Sequence, residues 1–158
     1  MERRTFLTNA AMGTIMLGAA QQVIAAEKYF PTKVDPNLFE AINRVKDPSN
    51  KTGTEKSHAP VITSLAKIKI GEPFTVEVSV GEVVHSMGPA HWIEYIELNI
   101  GNEPAGRVDF QPKGYLNPKV IFTVVLKEAP AAGKVTLIAH QRCNLHGYWE
   151  GSVDITVA

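Results

Sequence analysis

The sequence predicts an all-β fold, an immunoglobulin-like seven-stranded β-sandwich preceded by a leader and a short N-terminal helix. Three observations carry this. Phe74, Val76, Val78 and Val80 alternate with Thr75, Glu77 and Ser79, the period-2 pattern of a strand with one buried face. Comparable short apolar runs recur over 61–70, 92–100, 106–110, 120–126, 135–142 and 153–157. Turn signals separate them at Gly71-Glu72-Pro73, Gly81-Glu82, Gly101-Asn102-Glu103-Pro104, Pro112-Lys113-Gly114 and Ala132-Gly133-Lys134. Val124, Leu126, Leu137 and Ile155 fall on these runs as core candidates.

Taken in order, residues 1–26 read as an address rather than a fold element. Arg3-Arg4-Thr5-Phe6-Leu7 opens them, a mild apolar run extends from Ala10 to Ala20, and Ala25-Ala26 suits cleavage. This is the pattern of a twin-arginine signal peptide; it predicts export to the periplasm and a mature chain beginning near Glu27, with an uncleaved anchor as the competing reading. The run is too short and too rich in Gly, Ala and Thr for a transmembrane span, so no membrane attachment is expected after cleavage. Residues 27–57 read as a leader, a helix and a loop. Asp35 can cap the expected helix, Pro36 fits its first turn, and Leu38, Phe39, Ile42 and Val45 fall on one face at helical spacing. The polar stretch 47–57 reads as a loop that delivers His58 to the sandwich of residues 58–158.

Composition narrows the function. Lys plus Arg and Asp plus Glu each number 16, giving formal charge zero, so nothing points to nucleic acid or an anionic membrane surface. Roughly 130 mature residues suffice for one domain with its own core. The chain has one cysteine, Cys143, which has no partner for an intramolecular disulfide. In an oxidising compartment such a thiol needs protection, and a metal bond supplies it.

Two clusters and an outlier frame that thiol. Cys143-Asn144-Leu145-His146-Gly147 lies between the last two runs, His85-Ser86-Met87-Gly88-Pro89-Ala90-His91 lies between two earlier ones, and His58 comes directly after the polar loop. One thiolate with several imidazoles suits a transition metal, whereas calcium and magnesium want oxygen ligands. Any one of these residues alone reads as structural; their joint placement at strand ends, where sites sit on a rigid scaffold, makes the metal site. His140 alternates along a strand with no ligand spacing and stays structural. A blue-copper site uses two histidines, a cysteine and a methionine, usually placed shortly after the second histidine. No methionine comes after His146, so Met87 reads as packing. Trp92, Tyr95 and Ile96 read as core or site wall, and the Asn144–Gly147 turn as able to aim backbone N–H groups at the sulfur.

These residues resemble the iron domain of superoxide reductases, the desulfoferrodoxin and neelaredoxin group, over residues 58–158. The likeness rests on His85-x-Met87-x-x-x-His91 continuing into Trp92-Ile93, on Cys143-Asn144-x-His146-Gly147-x-Trp149, and on Glu55-Lys56 ahead of His58-Ala59-Pro60. It implies a mononuclear non-haem iron, Fe2+/Fe3+, with equatorial His58, His85, His91 and His146, axial Cys143, and a sixth position open to superoxide. It implies one-electron reduction of superoxide to hydrogen peroxide, a separate electron donor of rubredoxin-like or cytochrome-like kind, and a homo-oligomer. The four-cysteine iron module of larger desulfoferrodoxins is missing, so the chain looks like the single-iron form. In the family the glutamate can enter the sixth position and the lysine attracts the anion and aids protonation, which makes Glu55 and Lys56 the catalytic candidates. Here Ser57 intervenes between that pair and His58. A periplasmic copper electron-transfer or carrier protein and a non-catalytic redox-carrier sandwich subunit are the competing readings.

Overall fold

The computed structural model describes residues 41–128 and 133–158. The expected signal peptide and most of the expected 35–45 helix lie outside the described residues. The described chain forms eight strands and one short helix: α1 (Gly53–His58), β1 (Pro60–Ser64), β2 (Lys67–Ile68), β3 (Pro73–Val80), β4 (Ile93–Ile100), β5 (Glu103–Asp109), β6 (Lys119–Val125), β7 (Lys134–Cys143) and β8 (Gly147–Val157). Among them no helix is long and apolar enough to cross a membrane.

The strands form two sheets, β1-β3-β6 and β2-β8-β7-β4-β5, and their inner faces share one core. The alternation of β3 places Phe74, Val76, Val78 and Val80 inside, in one cluster with Ile93, Ile96, Leu98, Leu137 and Ala139. Burying a side chain of this size contributes about 1.5–3 kcal/mol, so β3 alone is a large part of what holds the sheets together. The predicted core residues Val124, Leu126, Leu137 and Ile155 are all buried.

Three expectations need correction. The run 61–70 is two strands: β1 pairs with β3, whereas β2 crosses to the other sheet and pairs in parallel with β8, which raises the count from seven to eight. Residues 41–45 are not the last turn of a helix. Asn43 forms a parallel bridge to Trp149, its N–H donating to the Tyr148 carbonyl at 2.8 Å and its carbonyl accepting from Glu150 N–H at 2.9 Å. Arg44 adds a two-pronged ion pair to Glu150. Here the edge of β8 offers backbone partners that outcompete a helical turn.

The third correction is α1 itself, inside the stretch expected to be a loop. Thr52 accepts the N–H of Glu55 at 3.2 Å while the Glu55 carboxylate accepts the N–H of Thr52 at 2.7 Å, a reciprocal capping box. Pro60 disfavours helical geometry at Ala59, which is extended, so the helix ends on His58. Six residues make no stable helix alone. The loop after β3 supplies the rest, with Val83 N–H donating to the Lys56 carbonyl and Gly81 N–H to that of Ala59. Gly81 takes φ +80°, and a Cβ there would meet the Lys56 and Ser57 carbonyl oxygens at 2.7 Å.

Candidate metal centre

Three separate elements deliver five side chains to one point. His58 comes from the last position of α1, His85 and His91 from the β3–β4 loop, and Cys143 and His146 from the end of β7 and the β7–β8 turn. Gly147 closes that turn at φ +72°, paired across the hairpin with Cys143. A bulge shifts the β4–β7 register between Ile93 and Tyr95, where Ile93 lies opposite Cys143. Asn144 ties the turn to the other cluster: its amide oxygen accepts from Trp92 N–H at 2.9 Å and its amide nitrogen donates to the Ala90 carbonyl at 3.0 Å, bracketing His91.

Four nitrogens form a closed ring. His58 Nε2 lies 2.9 Å from His146 Nδ1 and 3.1 Å from His85 Nε2; His91 Nε2 lies 3.1 Å from His85 Nε2 and 3.0 Å from His146 Nδ1. A square with such edges has its corners about 2.1 Å from its centre, the ordinary distance from a metal ion to an imidazole nitrogen. Neighbouring rings stand nearly perpendicular, between 75° and 83°, whereas His58 and His91 across the ring are within 27° of parallel. Cys143 Sγ sits near one edge, 3.1 Å from His91 Nε2 and 3.5 Å from His146 Nδ1. All five donor atoms lie within 4.8 Å of one another, and among the described residues no sixth histidine, cysteine or carboxylate joins them.

The surroundings leave the donors in the form a metal needs. His58 Nδ1 is 2.9 Å from the Thr54 carbonyl and His85 Nδ1 is 2.6 Å from that of Ser86. A carbonyl only accepts, so each Nδ1 carries the proton and each Nε2 turns a lone pair inward. Burial, reinforced by the neighbouring imidazoles, holds His58 down at about 4 and His85 at about 3, and burial also lowers His91. These rings are neutral at pH 7. Burial pushes the Cys143 thiol up to about 11, against the pull of the Leu145 and His146 backbone N–H groups that donate to its sulfur. A metal entering the ring therefore displaces the thiol proton.

Each candidate from the sequence has a definite place. Glu55 is buried and its carboxylate is held by Thr52 N–H and by Lys46 N–H at 3.0 Å, outside the ligand group; these backbone donors keep it below the usual carboxylate range. Lys56 is exposed, and two residues along a helix place it about 200° around the axis from His58. Ser57 belongs to the helix, with its hydroxyl 2.8 Å from His58 Nδ1. Met87 is buried and its sulfur accepts from Ile93 N–H at 3.4 Å. Ile96 is core, Trp92 packs against the core, and the Arg107 guanidinium lies over the Tyr95 ring. His140 stays outside the centre, between Asn99 at 3.0 Å and Glu150 at 3.1 Å.

Sequence reasoning passes over Trp149 and Gln141 as contributors to the site. Trp149 stacks on His58 with centroids 5.5 Å apart, and Gln141 is wholly buried with its amide donating to the His58 carbonyl at 2.9 Å. Trp149 stands in the Cys-Asn-x-His-Gly-x-Trp motif, which is a signal; Gln141 has none.

A β-sandwich that closes four imidazoles and one thiol around a single point defines a mononuclear non-haem metalloprotein. Nitrogen and sulfur donors in this number fit iron, and among the described residues they would leave a six-coordinate ion one position without a side chain. The chain belongs to the desulfoferrodoxin family, whose model matches residues 50–152. A Methanocaldococcus jannaschii protein with a provisional superoxide reductase name is 38% identical over 72% of this chain and 92% of its own. Superoxide reductase from Pyrococcus abyssi is 35% identical over 63% of this chain and 88% of its own. The solved structure of superoxide reductase (neelaredoxin) from Ignicoccus hospitalis is 36% identical, covers 80% of this chain and 100% of its own, and superposes with a TM-score of 0.62.

Proposed function

We propose that this protein is a superoxide reductase, converting superoxide, one electron and two protons to hydrogen peroxide without forming oxygen. One observation carries the reading: the closed nitrogen ring with a thiol beside it and no sixth donor among the described residues. Bound iron supplies the single electron, and a thiolate ligand raises the electron density from which it is given. Four neutral imidazoles and one thiolate carry one negative charge in all, so a divalent ion held by them leaves the centre net positive and attractive to an anion. The N–H groups of Leu145 and His146 on the sulfur temper its donation. His91 and His146 are half-buried, and that edge gives solvent protons access to the centre.

Lys56 acts as an exposed cation that raises the local potential for an incoming anion, rather than as a group that touches it. Glu55 acts as the helix cap. Each turnover consumes one electron and so would need a separate one-electron donor, a rubredoxin-like or cytochrome-like protein, and the working form is a homo-oligomer, as the family resemblance implies. Arg3-Arg4 and the apolar run after it support export by the twin-arginine route to the periplasm, a route suited to a protein that folds around its metal first.

Metal analysis with optical spectroscopy tests the reading. About one iron per chain is expected, with a thiolate-to-iron absorption that develops when the reduced protein meets superoxide. Copper in place of iron, or a reduced protein indifferent to superoxide, would overturn it.

A further inference from the structure

Trp149 touches two ligands at once and lies between the centre and a neighbouring cleft. Its ring stacks on His58 at 5.5 Å and 30°, and its indole N–H donates to the His146 backbone carbonyl at 2.8 Å. His58 and His146 are adjacent corners of the nitrogen ring, 2.9 Å apart, yet they come from α1 and the β7–β8 turn, 88 residues apart in sequence. Trp149 itself is fixed from behind. Its register partner on β7 is Gln141, which holds the His58 carbonyl, and the Asn43 bridge and the Arg44–Glu150 ion pair clamp the chain on either side of it.

The indole is 3% exposed and also lines a cleft of about 520 Å3 bounded by Ile42, Arg44, Thr52, Thr54 and Glu55. Thr54 is the residue whose carbonyl fixes the His58 tautomer. Removing the indole would join that cleft to the back of His58 and let water compete for the bond that keeps Nε2 unprotonated.

We propose that Trp149 is a positioning residue for the metal centre: it sets the relative orientation of His58 and His146 and keeps the His58–Thr54 hydrogen bond dry. The inference rests on the metal-centre reading and deepens it. Trp149 meets the metal only through its two ligands, so its removal acts on affinity, on the ligand field and on the potential.

The test compares the full chain with Trp149→Phe, Trp149→Leu and, as a control in the same strand, Ile155→Val. The readouts are the rate at which ferrous iron passes to a chelator, the position of the thiolate-to-iron band, and the midpoint potential. Trp149→Leu loses both the stack and the donor, and should release iron about 10–100-fold faster. Trp149→Phe keeps an aromatic face without the N–H, so it should retain iron within about threefold of the unaltered rate while the band and potential shift. Ile155→Val should leave all three unchanged. Iron release from a folded Trp149→Leu at the unaltered rate overturns the proposal. Should Trp149→Leu fail to fold by circular dichroism, Trp149→Phe decides, and an unmoved band and potential there overturn it. None of these readouts involves superoxide: iron binding without superoxide reactivity defeats the reductase reading and leaves Trp149 its role. A chain that binds no iron defeats both.

Discussion

At the residue scale, the centre depends on atoms whose other commitments are already made. His58 and His85 commit one nitrogen to a carbonyl and leave the other for a metal. Changing His58, His85, His91 or His146 to alanine should each lower bound iron by about tenfold or more in equilibrium dialysis. His140→Ala should leave it unchanged, since Asn99 and Glu150 occupy that ring. Cys143→Ser should abolish the thiolate-to-iron absorption, because a hydroxyl is a weak ligand; a surviving band would contradict the axial assignment. Lys56→Ala should slow the reaction with superoxide about two- to threefold at low ionic strength and not at high, the mark of steering without contact. A loss that persists at high salt would mean that Lys56 touches the anion. The five ligands are legible in the sequence because their residue types and spacings are chemically unusual. The carbonyls of Thr54 and Ser86 are not, since a backbone acceptor leaves no trace in residue identity.

At the element scale, α1 determines where His58 points. Its six residues resemble a loop in sequence because no periodicity accumulates over so short a run, although Thr52-x-x-Glu55 is the written sign of a capping box. The extra Ser57 therefore falls inside a helical turn, where each added residue rotates the next side chain by about 100°. Thr52→Ala should cost about 1 kcal/mol in denaturant unfolding and speed iron release with it. The Glu55 carboxylate is held below its ordinary value in the fold. Its contribution is thus present above the unfolded carboxylate pKa and disappears as pH falls through the lower folded one. Unfolding curves of Glu55→Gln and the unaltered protein should accordingly converge on acidification through that window. Gly81→Ala should also destabilise, because its Cβ would meet two helix carbonyls. The split of 61–70 escapes the sequence for a related reason: apolar character continues through residues that change sheets, and the change is made by partners on β3 and β8.

At the scale of the whole molecule, the sandwich is a scaffold that brings the donor atoms of residues 58, 85, 91, 143 and 146 to within 4.8 Å. The all-β class is legible because period-2 alternation and turn residues agree, and because Val76, Val78 and Val80 face a core assembled from both sheets. Strand order is not, since pairing such as that of β2 with β8 joins distant stretches. A metal that joins three elements stabilises only the folded chain, by about 4 kcal/mol at a thousand times its dissociation constant. The iron-loaded protein should therefore melt higher than the chelated one, and the difference should vanish in Cys143→Ser combined with His58→Ala. The reductase function is defined by its products. When a known dose of superoxide is generated by pulse radiolysis over excess reduced protein, a reductase should give one hydrogen peroxide per superoxide and no oxygen from the reaction. Oxygen evolved with one peroxide for every two superoxides would identify dismutation and contradict it.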